Sequence, residues 1–510
     1  MTALSARELS PLPLRQQQSI GIILALVIVL AVGAALFVVG WPAAAVLGAF
    51  ALGTWLVVRP RHGLYAMLAS VVIVTGASGL PVVKTATPMY RGIDDLLGPG
   101  AVVTFSPLEL GMGLMILGTL LQSRHTHSLR LGEFFWPLAL LTGILLFGLV
   151  RGSRTGGDSV IAFHEIRALL YLLPLYFLTI NLVRERRHFI ELAAVLGTAV
   201  VAMSVGALWT HLSTIRPGEL TTALDLTFSH ENALFASLIV IAMASMLIWG
   251  RGFGPRAILV IPGILGLSAI LVMKRRVGVV GLDAGLVLLS LVLLRSNWRM
   301  FISVMPILLV AAIIYLGAYW NATGGLGQGA RAVRTVIGQE AATEDLSSKR
   351  YRERESFNVE SNIRWQPFWG SGFGKPYQMP LPLPDLTSFW PFQRYVPHNT
   401  ILWVWMKGGL LAFIALLTLF GHALLRGMAL GRKRLDPLLR AWATVAAASV
   451  LIVFLFGWQD LGLTSLRALP VFGFCLGLIT VIGLMPEERE EPGEGKAAVQ
   501  TATRPLLVRR

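Results

Sequence analysis

The feature that most constrains this chain is a series of apolar runs, each about 20 residues long, which short basic loops separate. Of its 510 residues, 55% are hydrophobic and 14% are charged. A run of about 20 apolar residues has the length that a helix needs to cross the hydrocarbon core of a bilayer. Because backbone groups cannot stay unpaired in lipid, each run has to form a helix. The sequence therefore predicts an all-α, polytopic membrane protein.

A window of bilayer length predicts about 14 transmembrane helices, and one intervening loop is long enough to form its own subdomain. The predicted spans cover 19–39, 42–58, 62–79, 106–121, 134–151, 161–182, 189–211, 231–249, 256–273, 277–294, 299–319, 399–425, 438–458 and 465–485. The predicted parts of the chain are a cytoplasmic N-terminal tail (1–18), helices 1–11 (19–319), the long external loop (320–398), helices 12–14 (399–485) and a disordered cytoplasmic tail (486–510).

The formal net charge of +16 would suggest a nucleic-acid partner in a soluble protein. Here most Lys and Arg residues lie in alternate short loops, where they set membrane orientation, so we expect no nucleic-acid binding. The predicted cytoplasmic loops contain Arg59, Arg61, Arg124, Arg130, Arg184, Arg186, Arg187, Arg251, Arg256, Arg295, Arg299, Arg426, Arg432, Lys433 and Arg434. The loops predicted to face the periplasm or exterior are 80–105, 152–160, 212–230, 274–276, 320–398 and 459–464.

One basic turn contradicts this orientation rule. Lys274, Arg275 and Arg276 lie between two apolar helices, yet the alternation of loops places them outside. Clustered guanidinium groups make bidentate bonds to phosphate, so an anion site at the outer membrane surface would account for them. The alternative is that the helix count is off by one and that the turn is an ordinary cytoplasmic loop.

Other polar side chains are predicted at the same outer helix ends. They are His164, Glu165, Arg167, Arg216, His230, Glu231 and Asn232. Ionisable groups at the ends of membrane helices either mark a functional site or act as interfacial anchors that reach into water. Because these residues are all predicted on one side, they are candidates for a common substrate site.

The long loop contains two further groups of candidates. Arg364 and Trp365 precede the glycine-rich segment 369–374, which resembles a phosphate-binding loop only superficially because no strand precedes it. We expect a tight turn there. His398 follows a proline, precedes Asn399 and begins an apolar helix. The ordinary pKa of histidine lies near neutral pH, so His398 can act as a general base, or it can serve as a helix cap or interfacial anchor.

The order of these elements resembles that of the O-antigen ligase and O-antigen polymerase superfamily of bacterial membrane glycosyltransferases. The resemblance covers roughly 160–425 and depends on a set of short segments rather than on one specific motif. Those segments are Ser229–Ala233, Arg275–Gly278, Arg364–Trp365, Trp369–Gly374, His398–Asn399 and Gly408–Gly409. Family members commonly have Ser-Arg where this chain has Arg275 and Arg276, which leaves open which arginine is functional.

The resemblance implies transfer of a glycan from undecaprenyl diphosphate to an acceptor hydroxyl at the outer face of the bacterial cytoplasmic membrane. The enzyme would be ligase-like or a polysaccharide polymerase. The implied catalytic residues are His398, which would deprotonate or orient the acceptor, and Arg275 and Arg276, which would stabilise the departing diphosphate. The implied substrate-binding residues are Lys274, Arg216, Arg364, Trp365, His230, Asn232, Asn399 and Arg167.

The implied partners are the lipid-linked donor, a lipid or glycan acceptor and the lipid bilayer. No metal and no cofactor are expected, because the external loops show no carboxylate cluster with metal-ligand spacing. The single cysteine, Cys475, excludes an intrachain disulfide and a cysteine-based metal site.

Two other classes of protein fit part of the sequence. A lipid-linked sugar flippase or transporter would share the helix count and the basic outer surface, but it would be expected to carry polar residues at mid-membrane or matched broken helices. A structural assembly scaffold would need neither His398 nor the basic turn at 274–276.

Overall fold

The computed structural model describes ten stretches of the chain, which include most of the predicted spans. They are 41–74, 105–124, 128–214, 230–250, 253–273, 275–322, 327–337, 343–387, 390–433 and 436–486. The predicted N-terminal tail, the predicted span 19–39, Arg216, Lys274 and nearly all of the predicted C-terminal tail lie outside these residues.

All regular elements in the described stretches are helices. The α-helices are α1 (Trp41–Val58), α2 (Pro60–Ile73), α3 (Pro107–Ser123), α4 (Phe135–Arg154), α5 (Ser159–Leu170), α6 (Leu172–Leu182), α7 (Arg186–Thr214), α8 (His230–Trp249), α9 (Phe253–Met273), α10 (Arg276–Ser296), α11 (Trp298–Tyr319), α12 (Gln328–Val336), α13 (Thr343–Trp365), α14 (Thr400–Arg432), α15 (Pro437–Gln459) and α16 (Ala468–Gly483). A short 3₁₀ helix, Gly462–Thr464, joins α15 to α16.

The predicted all-α, multi-pass fold is confirmed, but the predicted number of spans is not. Within the described residues, eight helical segments are long and apolar enough to cross a membrane. They are α4, α5 with α6, α7, α8, α10, α11, α14 and α15. A ninth is possible if α1 and α2, which meet at 117°, form one broken span. The predicted spans 42–58 and 62–79 overlap α1 and α2, but α2 ends at Ile73, 75–79 lie outside the described residues, and the sequence does not predict the bend.

The core of the bundle forms where α8, α10 and α15 pack together. Small residues allow their backbones to approach closely, which is the usual basis of helix packing in lipid. A Cβ atom on Gly278 of α10 would lie only 2.4 Å from the Cβ atom of Ala233 on α8. The Ser237 hydroxyl also donates to the Gly278 carbonyl at 3.1 Å. By contrast, α11 has no buried residue.

The segment between α11 and α14 contains α12 and α13, which are rich in charged residues. It corresponds to the predicted long loop, and α13 packs against α14. The polar face of α13 thereby lies beside the start of a membrane helix, and this contact positions the candidate site.

Candidate active site

The centre of the candidate site is a contact between His398 and the buried carboxylate of Glu355. Nδ1 of His398 lies 3.0 and 3.1 Å from the two carboxylate oxygens. The His398 backbone N–H donates to the same carboxylate at 2.9 Å. A carboxylate accepts hydrogen bonds, so this geometry places the ring hydrogen on Nδ1. No described residue bonds Nε2, which leaves that nitrogen available as a base.

The position of His398 is fixed by the residues that begin α14. The Asn399 side chain caps the helix by accepting from the Leu402 backbone N–H at 3.0 Å. The Thr400 hydroxyl lies 2.9 Å from the Gly457 carbonyl and 3.2 Å from the Asp460 carbonyl, at the end of α15. Two helix ends are therefore joined directly beside the histidine. The helix begins at Thr400, one residue after the predicted start at 399, and Asn399 rather than His398 caps it.

Aromatic rings enclose the imidazole on two further sides. Tyr351 and Trp390 meet the His398 ring edge to face, at centroid distances of 5.6 and 5.5 Å. Above all, burial raises the pKa of Tyr351, and the Glu355 charge adds to the rise, so the phenol stays neutral at physiological pH. The Gln393 amide donates to the Tyr351 hydroxyl at 3.1 Å. These contacts hold the imidazole plane in one orientation.

His398 opens into a cavity of about 780 Å³, a volume typical of sites for small ligands. The lining residues are Ser348, Lys349, Arg352, Glu353, Glu355, Ser356, Phe357 and Glu360 of α13, His398, Asn399 and Leu402 near the start of α14, and Trp458 and Gln459 at the end of α15. The cavity thus combines a histidine, cations, carboxylates, amides and aromatic rings.

Two cations, Lys349 and Arg352, lie on the cavity face of α13. Together with Glu355 they recur at intervals of three residues, which places them on one side of the helix. Neither cation has an ion pair or hydrogen bond with another described residue, so both can take up a substrate anion. Sequence reasoning missed these residues and Glu355, because their spacing indicates a shared helix face but not which face of the charge-rich α13 meets α14.

The glycine-rich segment forms the predicted tight turn and uses its backbone to fill a break in α14. Gly409 has φ = +82° and interrupts the helix. The N–H groups of Ser371 and Gly372 donate to the carbonyls of Met406 and Lys407 at 2.8 and 3.0 Å. In return, the Leu410 N–H donates to the carbonyl of Pro367 at 3.1 Å. The turn therefore replaces hydrogen bonds that the break removes.

A fully buried ion pair, Glu165 with Lys407, secures the same turn. The two side chains are 0% exposed and lie 3.2 Å apart. Glu165 also accepts from the Gly374 N–H, and Lys407 donates to the Lys375 carbonyl. The Phe373 N–H donates to Gly148 of α4 at 3.3 Å. Because these amides all donate to protein acceptors, they are not available to bind a phosphate.

Arg167 is directed away from the cavity by a buried partner. Its guanidinium forms two bonds to Glu109, at 2.5 and 2.9 Å, and its side chain is 2% exposed. The Tyr171 hydroxyl donates to the same carboxylate at 2.8 Å. Glu109 in turn completes a capping box with Ser106 at the start of α3. The structure thus gives Arg167 a role in joining α3 to α5.

His230 and Asn232, at the start of α8, also lie apart from the cavity. Nδ1 of His230 is 3.3 Å from a carboxylate oxygen of Asp460, and its ring stacks on Phe456 at 5.9 Å. Asn232 is buried. Since Asp460 directly follows the cavity residue Gln459, His230 lies near the site but outside its lining.

The remaining predicted residues are divided between two places. Arg364 and Trp365 end α13 on its exposed side, where the Arg364 side chain is 77% exposed and lies 4.0 Å from a carboxylate oxygen of Glu360. Arg275 is partly buried and precedes α10, which begins at Arg276. Helix α12 packs against α10. The cavity lining therefore includes His398 and Asn399 but not Arg364, Trp365 or Arg275.

Comparison with known proteins identifies the part of the chain that carries this site. Residues 262–417 match the family model described as O-antigen ligase. No curated protein matches the chain significantly. The matched residues run from within α9 into α14 and include Glu355, the glycine turn and His398. This match confirms the resemblance to the O-antigen ligase and polymerase superfamily over that part of the chain.

Proposed function

We propose that this protein is a membrane glycosyltransferase that moves a glycan from undecaprenyl diphosphate to a hydroxyl of a lipid or glycan acceptor. The reaction takes place at the outer face of the bacterial cytoplasmic membrane, in an O-antigen ligase-like or polymerase reaction. The observation that carries the proposal is the His398–Glu355 pair, which opens into a cavity whose two cations have no ion pair among the described residues. The family match supports glycosyl transfer and gives no support to the flippase alternative.

His398 activates the acceptor. Its Nε2 takes the proton of the attacking hydroxyl while the oxygen forms a bond to the anomeric carbon of the donor sugar. Glu355 keeps Nδ1 protonated and stabilises the imidazolium that forms, which is the role that an orienting carboxylate plays beside a catalytic histidine. The short contacts of 3.0 and 3.1 Å suit this role.

The diphosphate leaves with the electron pair of the broken sugar–oxygen bond. Negative charge grows on it in the transition state, and preorganised cations stabilise that charge more than they stabilise the bound donor. Arg352 and Lys349 are the cations that share the cavity with His398. Arg275 and Arg276, at the start of α10, remain a second proposed set, together with Lys274 and Arg216, which lie outside the described residues. The proton on His398 then passes to the diphosphate or to water.

The decisive test separates donor binding from transfer in purified protein. We expect His398→Ala to bind the undecaprenyl-diphosphate glycan normally and to lose about 10²–10⁴-fold in transfer rate, because only activation of the acceptor is removed. Near-normal transfer would exclude the catalytic role. The wild-type protein, treated with a chelator in parallel, should keep its rate, since we propose a metal-independent reaction without a cofactor.

A further inference from the structure

Two exposed aromatic rings line the cavity beside His398 and are not used by the proposed chemistry. Phe357 lies on α13 and Trp458 lies at the end of α15, and each is 47% exposed. Large apolar side chains exposed inside a mixed polar cavity indicate a binding function rather than packing. The question is which part of a substrate would cover them.

Trp458 is held in a defined orientation. Its ring stacks on Phe454 at a centroid distance of 6.4 Å and an interplanar angle of 23°. Phe454 packs in turn against Phe420 inside the bundle, at 5.5 Å. The indole N–H of Trp458 has no hydrogen-bond partner among the described residues, so it can donate to a ligand. The Trp458 ring is therefore supported on one face by Phe454, and its indole N–H is available to a ligand.

A sugar ring matches this surface chemically. Pyranose rings present a face of C–H groups, which packs on the electron-rich face of an aromatic ring, and a rim of hydroxyl groups, which needs donors and acceptors. Gln459 and Glu353 supply an amide and a carboxylate in the same cavity. An acyl chain would leave these polar groups and the indole N–H without partners.

We propose that Trp458, together with Phe357, is a stacking platform that binds a sugar ring of the substrate next to His398. The inference depends on the proposed function and adds the part of the substrate that fills the cavity. The sugar belongs either to the donor glycan or to the acceptor, which share this chemistry. Trp at a helix end can also be an interfacial anchor, and such an anchor does not require a place in the cavity lining.

The test uses Trp458→Leu and Trp458→Phe, with Trp209→Leu as the matched control. Trp209 of α7 is 60% exposed near a helix end and does not line the cavity. Two probes are titrated calorimetrically into detergent-purified protein: the glycan freed from the donor by mild acid, and the oligosaccharide cut from the membrane glycolipid fraction. We expect Trp458→Leu to weaken binding of one probe about tenfold, and Trp458→Phe about twofold. Trp209→Leu should bind like the wild type.

Kinetics identify the source of the sugar. A rise in KM for the donor at constant kcat assigns the sugar to the donor glycan, and a rise in KM for the acceptor assigns it to the acceptor. Unchanged binding of both probes by Trp458→Leu, or equal weakening by Trp209→Leu, would overturn the platform. If Trp458→Leu unfolds, Phe357→Leu supplies the same comparison. A loss of glycan binding in a protein that transfers nothing would support the platform while refuting the transferase.

Discussion

The glycine turn and the His398 cavity both contain residues of the segment between α11 and α14, yet their polar groups are used in opposite ways. In the turn, the amides of Ser371, Gly372 and Gly374 are bonded to protein acceptors, and the Glu165–Lys407 pair is sealed from solvent. In the cavity, Arg352 and Nε2 of His398 have no described partner. The more conspicuous sequence motif therefore serves architecture, whereas the proposed chemistry depends on the less conspicuous helix α13.

The largest effect should come from breaking the buried pair in the turn. Glu165→Ala leaves the Lys407 ammonium buried without its counter-charge, which costs about 3–5 kcal/mol of stability. We expect loss of folded protein, measured by yield and by thermal unfolding in detergent. The matched control replaces both partners, Glu165→Leu with Lys407→Met, and should be clearly more stable than the single variant. Normal stability of Glu165→Ala would contradict the architectural role.

In the cavity, a comparable change should affect the chemistry and spare the fold. Glu355→Gln removes the charge that orients His398, so we expect transfer to fall about 10²-fold at an unchanged melting temperature. Glu360→Gln is the control, because it removes a negative charge from the same cavity without touching His398. Equal rates in the two variants would mean that Glu355 does not orient the base.

A smaller effect should reveal which cations bind the diphosphate. Charge-assisted bonds are worth about 1.5–3 kcal/mol, so Arg352→Ala should lower transfer at least about tenfold if the cavity holds the diphosphate. Arg275→Ala and Arg276→Ala test the basic turn in the same assay, at equal protein level. Wild-type rates in Arg352→Ala, with a loss in either turn variant, would move the diphosphate to α10. Wild-type rates in all three would exclude these three arginines as diphosphate ligands.

Sequence patterns predicted the elements better than the contacts between them. The Pro-His-Asn segment before an apolar run was enough to predict the start of α14 and to make His398 a candidate. Glu355 could not be identified, because it lies 43 residues earlier in a helix full of charges and only packing of α13 on α14 singles it out. For Arg167 the error runs the other way. In the sequence it is a helix-end arginine that could bind substrate, but in the structure it is bonded to Glu109, which lies 58 residues away in the chain.

The bend between α1 and α2 was unpredictable for the same physical reason. Pro60 marks the start of a new helix, but nothing in the neighbouring sequence sets the 117° angle. The end of α2 is held by Arg467, whose guanidinium donates to the carbonyls of Val71 and Val72 at 2.9 and 2.7 Å. This contact joins residues that lie almost 400 positions apart in the chain, so no local sequence pattern can predict it.

The break at Gly409 limits how this protein can be recombined. The turn at 366–374 completes the hydrogen bonding of α14. The loop and the helix therefore form one structural unit and cannot be exchanged separately. A chimaera that exchanges only the loop with a relative would separate donors from their acceptors. A chimaera that exchanges the loop together with the start of α14 up to Leu410, and that also keeps Gly148 and Gly152 of α4, would keep these backbone contacts intact.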